Sequence, residues 1–417
     1  MTTSTTIRRN ALAFIFVAVL VDSIGFGIVL PVLPRLIMDL TGVDIARAAQ
    51  YGGWLTFVYS AMQFFCAPVL GNLSDRFGRR PVLLWALLAL GIDYLIMGWA
   101  PTIAWLFAGR TIAGVAGASF TPAYAYVADV TAPEKRAQSF GLLGAAFGLG
   151  FILGPAIGGL LGGLGPRAPF IAAGVLALLN FAFGWLALPE SLPVESRRAF
   201  QWSRANPVGA LVQIRKHPAV AWMVCAVFLW QLGQQVLPTT WSFYTIEKFH
   251  WSSGQVGYSL AYVGLLMALA QGVLTRVLIP RLGGERRAAA LGLAVAIFTY
   301  LGYGFSTESW MMYVVSTATL VVALAYPAMN AVMSRQVPAD QQGELQGAVT
   351  SVYSLSSIIG PPLMTEVFSY FSGTRAPVHF PGAAFVVAAV LTVFAGVVYA
   401  KTVHVPLPQS GMTQSTH

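Results

Sequence analysis

"GNLSDRFGRRP", Gly71–Pro81, packs three arginines, one Asp and two glycines between two long apolar runs. A connection this short joins two segments that end at the same surface. Gly71 permits close helix approach, Asp75 sits at a helix end, and Gly78 supplies the turn. Arg76, Arg79 and Arg80 hold the loop in water on one side of a membrane. An ordinary basic loop would need the same apolar neighbours, so the reading turns on what flanks it.

Working outward, hydrophobic residues make up 57% of the 417 and charged residues 9%. A soluble domain carries about 25% charged residues, so this chain cannot clothe a water-facing surface. It reads as an integral membrane protein. The net charge of +9 is spread over short clusters between apolar runs. That distribution excludes a nucleic-acid-binding face and points to membrane topology. Cys66 and Cys225 lie in apolar runs without a CxxC or metal pattern and read as small buried hydrophobes. The ten residues before the first run are short and polar, and that run is long enough to span, so no cleaved signal is expected.

About 20 mostly apolar residues cross a bilayer. Twelve segments qualify, near 11–33, 51–71, 81–100, 103–127, 139–162, 168–188, 219–244, 254–279, 288–306, 309–333, 346–370 and 380–400. None alternates like a barrel strand. Of the 24 Lys and Arg residues, eighteen fall on the side of the N-terminus and five on the other, with Arg110 inside span 4. The positive-inside rule places both termini in the cytoplasm.

Landmarks repeat across the chain. Pro31 matches Pro238, "RFG" at Arg76 matches "RLG" at Arg281, and Gly154-Pro155 matches Gly360-Pro361, with offsets of 207, 205 and 206. The expected fold is therefore an all-α membrane protein of twelve transmembrane helices in two pseudo-symmetric six-helix bundles. Residues 1–188 form the first bundle, 189–217 a basic cytoplasmic linker, 218–402 the second bundle, and 403–417 a disordered tail. Parallel repeats with a site between them are a transporter architecture.

Three charges lie inside spans. At ~1.5 Å per residue, Asp22 and Asp93 come roughly 17 and 18 Å from the cytoplasmic edge, and Arg110 roughly 10 Å from the external one. In a core ~30 Å thick they share a level. A permanent Asp93–Arg110 ion pair is one reading. Two acids and one base still leave one carboxylate without a fixed partner, and burial disfavours its charged form, which suits a proton carrier. At the matching level of span 7, "WQLGQQVLPTTW" offers Gln231, Gln234, Gln235 and the flat face of Trp241. These either glue helices together or contact a substrate. In span 5, "GAAFGLGFILGPAIGG" holds Gly150, Gly154, Pro155, Gly158 and Gly159, which allow tight packing and a bend.

The string at Gly71–Pro81, with Asp129 and Arg136 in "ADVTAPEKR", resembles the signature loop of the major facilitator superfamily. The resemblance implies that this loop latches the cytoplasmic ends of the two halves. "GLGFILGPAIGG" resembles the motif of the superfamily's drug–proton antiporters. From "VDSIGFGIVLPVLP" through "FAGRTIAGVAGA" and "MSRQVPADQQGELQG" to "IIGPPL", the chain most resembles bacterial tetracycline efflux proteins. In these, acids matching Asp22 and Asp93, an Arg matching Arg110 and Gln residues of span 7 are functional. The family also has an acid in span 9, where "LGLAVAIFTYLGYGF" has none.

The resemblance implies proton-coupled efflux of a small amphipathic drug-like compound, with tetracycline one candidate, by alternating access in a bacterial inner membrane. It implies a monomer that uses the proton gradient and no cofactor, with a substrate that can arrive as a metal complex. A proton-coupled symporter for a small metabolite would share the fold. An enzyme would need a clustered His, Cys or acidic constellation, and the five histidines form none.

Overall fold

The computed structural model describes residues 2–117, 120–201, 218–338, 341–374 and 376–403. Among these, every regular element is helical. In chain order, spans 1 to 6 are Thr2–Val29, Ile45–Phe77, Arg79–Trp99, Ile103–Gly117 continued by Phe120–Val130, Arg136–Gly162 and Ala168–Ala187. Spans 7 to 12 are Pro218–Gln234 continued by Val236–Phe249, Ser253–Leu269 continued to Arg281, Glu285–Phe305, Ser309–Thr317 continued to Ser334, Gln342–Ser372 and Ala383–Val403. The linker from residue 202 to 217 and the tail from 404 lie outside the described residues.

Eleven of these are long and apolar enough to cross a membrane by length and composition alone. Span 11 dilutes its apolar content with Ser, Thr, Gly and two prolines. Two of its buried hydroxyls are satisfied along the helix: Ser356 donates to the Val352 carbonyl at 2.9 Å and Thr365 to that of Pro361 at 2.8 Å. Polar side chains so paired are tolerated in lipid.

Several boundaries differ from the sequence expectation for local reasons. Span 1 stops at Val29 rather than residue 33, because Pro31 has no N–H to continue the ladder. The chain turns there and resumes as a short helix, Leu33–Thr41. Span 2 gains six residues at each end. Asp44 caps its start by accepting from the Arg47 N–H at 2.8 Å, and Gly78, with φ of +105°, stops it. The stretch expected as a loop is thus almost all helix, and Gly78 alone reverses the chain. Span 7 steps at Gln235, and span 8 carries a wide turn at Ala270–Leu274. Cys66 and Cys225 are partly exposed, not buried as expected.

Both the basic loops and the described chain ends lie on one face, called here the basic face. At the opposite, far face a single hydrophobic core runs through both halves, joining Ile28, Val32 and Leu55 to Trp241, Phe243 and Phe368. Towards the basic face the core divides. Phe14, Leu83, Tyr126 and Leu143 belong to the first half, and Met223, Leu293, Met329 and Tyr399 to the second.

The glycines record the same asymmetry. At the far end, a Cβ on Gly159 would lie 2.7 Å from the Ser253 carbonyl oxygen, and one on Gly162 3.0 Å from Ser253 Cβ. Towards the basic face, Gly141, Gly144 and Gly148 of span 5, Gly272 of span 8 and Gly343 of span 11 have open space around that position. The halves close on each other at the far face and splay apart at the basic face.

Candidate functional site

The two acids and the arginine within the first half are brought together unequally. Asp93 is fully buried, and its Oδ2 accepts from Arg110 Nη2 at 2.9 Å. Gly109 makes this fit possible: a Cβ there would lie 2.5 Å from Asp93 Oδ1. Arg110 also lies 5.7 Å over the Tyr59 ring, a cation–π contact. The sequence left the partner of Arg110 open, and the structure gives it to Asp93.

Asp22 stands apart from that pair. Its Oδ1 is buried and has no hydrogen-bond partner. It borders a small cavity of about 20 Å³ with Ala18, Val19, Leu83, Leu87 and Ala123, room for one water molecule. Gly25, one turn above, meets the Tyr94 hydroxyl, where a Cβ would come to 2.7 Å. Spans 1 and 3 are therefore level there, and Asp22 and Asp93 lie within about one turn of each other in depth. Tyr59 and Tyr94 stand in electrostatic reach of Asp22, Asp93 and Arg110 alike.

Across the cleft, span 7 presents amides whose partners come from within the second half. Gln235 Nε2 donates to Ser357 Oγ at 3.1 Å, and Gln234 Oε1 accepts a short bond from the Tyr300 hydroxyl. Gln231 is buried. Trp241 is corrected by the structure. It was expected to offer a flat face to substrate, but it is 2% exposed, donates to Ser259 Oγ at 2.9 Å and meets the edges of Tyr303 and Phe385. It is a wall of the second half, because its indole N–H finds a partner only inside that core.

The sequence reading missed the first half's contribution to this cleft. Phe26 of span 1 lies 6.2 Å from the Tyr59 ring and 6.3 Å from Phe151, which lies 6.1 Å from Phe147. Aromatic residues abound in these spans, and only the register of three helices selects this row.

On the basic face, the Gly71–Pro81 segment is tied within its own half. Arg79 pairs with Asp75 at 2.5 Å and Asp129 at 3.2 Å. Arg80 donates to the Trp185 carbonyl at 2.6 Å. Glu190, which the sequence did not single out, accepts from the N–H groups of Arg79 at 2.9 Å and Arg80 at 3.3 Å, so it caps span 3. No local motif betrays it, since it lies 111 residues away along the chain. Arg198 N–H reaches the Asp75 carbonyl at 3.0 Å and binds the start of the linker beneath the loop. Arg76 lies over the Phe77 ring, and Arg136 is exposed at the first residue of the span 5 helix. Gly71 makes only an ordinary contact, with Thr121 at 3.4 Å, so close approach does not require it. Among the described residues, the partners of Arg79 and Arg80 belong to the first half or to the start of the linker, and none comes from the second half.

The span 5 glycines do pack as expected. Gly150, Gly154 and Gly158 lie against the backbone of span 1, and Gly159 lies against Gly254 and Gly257 of span 8. The backbone of Pro155 completes that contact.

The chain is 42% identical over 366 residues to the class C tetracycline resistance protein of Escherichia coli, covering 88% of this chain and 91% of that one. It is 37% identical over 370 residues to the class G protein of Vibrio anguillarum, covering 88% and 92%. Among solved structures, a bacterial homolog of the human lysosomal transporter Spinster, inward-facing and unoccupied, shares the fold. It superposes with a TM-score of 0.76 at 16% identity over 95% of this chain and 97% of that one. The family model described as Major Facilitator Superfamily matches residues 15–361 and 277–415, and the chain belongs to that superfamily of membrane transporters.

Proposed function

We propose that this transporter exports a small amphipathic drug-like compound, with tetracycline the first to test, in exchange for protons. The observation that carries the reading is the buried, unpartnered Oδ1 of Asp22 beside an Asp93–Arg110 pair that is already neutralised. A carboxyl so placed is free to exchange a proton, and the pair can fix the local field around it. The names of the tetracycline resistance relatives support a drug as cargo. On this reading the basic face is cytoplasmic, both termini lie in the cytoplasm, and the state described is open inward. The transporter works in a bacterial inner membrane as a monomer, with the proton gradient in place of any cofactor.

In the cycle, substrate enters from the basic face between the splayed halves. The far-face contacts then part while the basic face closes. Asp22 takes a proton from outside as substrate leaves, and it releases that proton inward after the halves rock back. In everted vesicles, substrate addition should discharge a preformed pH gradient, and Asp22→Asn should abolish the effect while the protein remains in the membrane. Discharge by the Asn variant at the rate of the unaltered protein overturns the assignment. A proton flux of the opposite sign would identify a symporter.

A further inference from the structure

Asn180 of span 6 is 5% exposed, and among the described residues neither its amide nitrogen nor its amide oxygen has a hydrogen-bond partner. Buried amides are rarely left so, and one that glued two spans together would show a bond across them. At the offset of 205 to 207 that relates the landmark motifs, the other half carries Phe385, Val386 and Val387. Packing alone therefore does not call for an amide here. Gly184, four residues on and on the same helix face, fixes the depth of Asn180. A Cβ on Gly184 would lie 2.7 Å from Phe14 Cζ and 3.0 Å from Leu84 Cδ2, so this face of span 6 meets spans 1 and 3. Span 6 runs antiparallel to both. One turn nearer the far face, Asn180 comes level with Ala18 and Leu87, two walls of the cavity that Asp22 borders. The rest of its lining, Phe14, Ile15, Val19, Leu83 and Ala123, belongs to the first half's own core and not to the cleft. A carboxyl oxygen and an amide, both unsatisfied, thus flank one water-sized space and differ in depth by about one turn.

We propose that Asn180 is a positioning residue for Asp22: its amide and a water in this cavity form a hydrogen-bonded relay through which the carboxyl exchanges its proton inside the first half. The water finds its partners in Asp22 Oδ1, the amide and the second lone pair of a wall carbonyl, as many as a buried water needs. On release, the O–H bond at Oδ1 breaks and the water takes the proton. The amide oxygen of Asn180 accepts a hydrogen bond from this hydronium, which then gives its extra proton to water at the basic face. Substrate comes to Asp22 from the cleft and the proton leaves from the opposite side, so neither has to pass the other. The proposal rests on the proton-coupled export reading above and adds to it a residue and a route.

The test follows the C=O stretch of the Asp22 carboxylic acid by infrared spectroscopy of the purified full-length protein at acid pH, as the band that Asp22→Asn removes. Asn180→Leu keeps the bulk without the amide. In it the band should move to higher wavenumber as a hydrogen bond is lost. Its deuterium exchange should slow about 10-fold, the weight of one net hydrogen bond in a barrier. Asn180→Ser restores a donor and an acceptor and should keep the band and rate of the unaltered protein. Ala123→Val fills the cavity without touching the amide and should slow exchange alike; added to Asn180→Leu it should slow exchange no further. An unchanged elution profile excludes misfolding. Absence of the band, or an unaltered exchange rate in Asn180→Leu or in Ala123→Val, overturns the proposal. Tetracycline-driven discharge of a pH gradient in everted vesicles is measured in parallel. No discharge by the unaltered protein rejects the export reading alone, whereas intact discharge with an unaltered exchange rate in the variants rejects the relay alone.

Discussion

Gly109 holds the Asp93–Arg110 pair in place by what it lacks. A methyl at this position would stand 2.5 Å from Asp93 Oδ1 and 3.1 Å from Met97 Cγ, and the carboxylate cannot retreat without leaving Arg110. Gly109→Ala should therefore cost about 1–3 kcal/mol, the range of a forced core insertion. Gly71→Ala, whose methyl meets only Thr121 at an ordinary 3.4 Å, should stay within about 0.5 kcal/mol. Thermal unfolding of the two purified variants compares them, and equal midpoints would refute the argument. At this scale the sequence was informative about chemistry and silent about pairing. Asp22, Asp93 and Arg110 stood out because charge is costly in lipid, but helical rotation decides which acid meets the arginine. Rotation likewise turned Trp241 inward, away from the cleft.

At the scale of elements, the contact between spans 5 and 8 is built from backbone. Gly257 lies against the Pro155 carbonyl, with Gly159 Cα 3.0 Å from where its Cβ would be. No flexible side chain is there to give way, so Gly257→Leu must push the two spans apart at the far face. That variant should slow transport and raise labelling, by a membrane-impermeant maleimide, of a cysteine introduced at the far face. Unchanged labelling would show that the close contact is not a hinge surface. The glycine spacing in span 5 was legible because Gly is costly in a helix unless another backbone comes near. The steps in spans 7 and 10 were not, because their breaks at Gln235, Ala318 and Ala323 occur at residues that favour or tolerate a helix. Tertiary packing sets them.

For the whole molecule, the undivided core at the far face and the split core below it define a single open side. Cysteines introduced at Gly144 and at Gly162, in a background without Cys66 and Cys225, should report it. In membranes with the basic face exposed, position 144 should label readily, while position 162, pressed against Ser253, should resist. The opposite order would mean that the resting state opens at the far face. The helical spans were foreseeable, since apolar length is a property of the chain itself. The direction of opening was not, because the same residues serve both states of a rocking pair.

The way the core is shared also sets an order of assembly. Phe14, Leu83, Tyr126 and Leu143 can complete the first half's own core while the ribosome is still making the rest. The far-face core cannot close so early, because it includes Phe385, in the last span of the chain. Sealing of that face therefore waits for Phe385, and until span 8 is made the Gly159 edge of span 5 faces lipid or a chaperone in place of its partner.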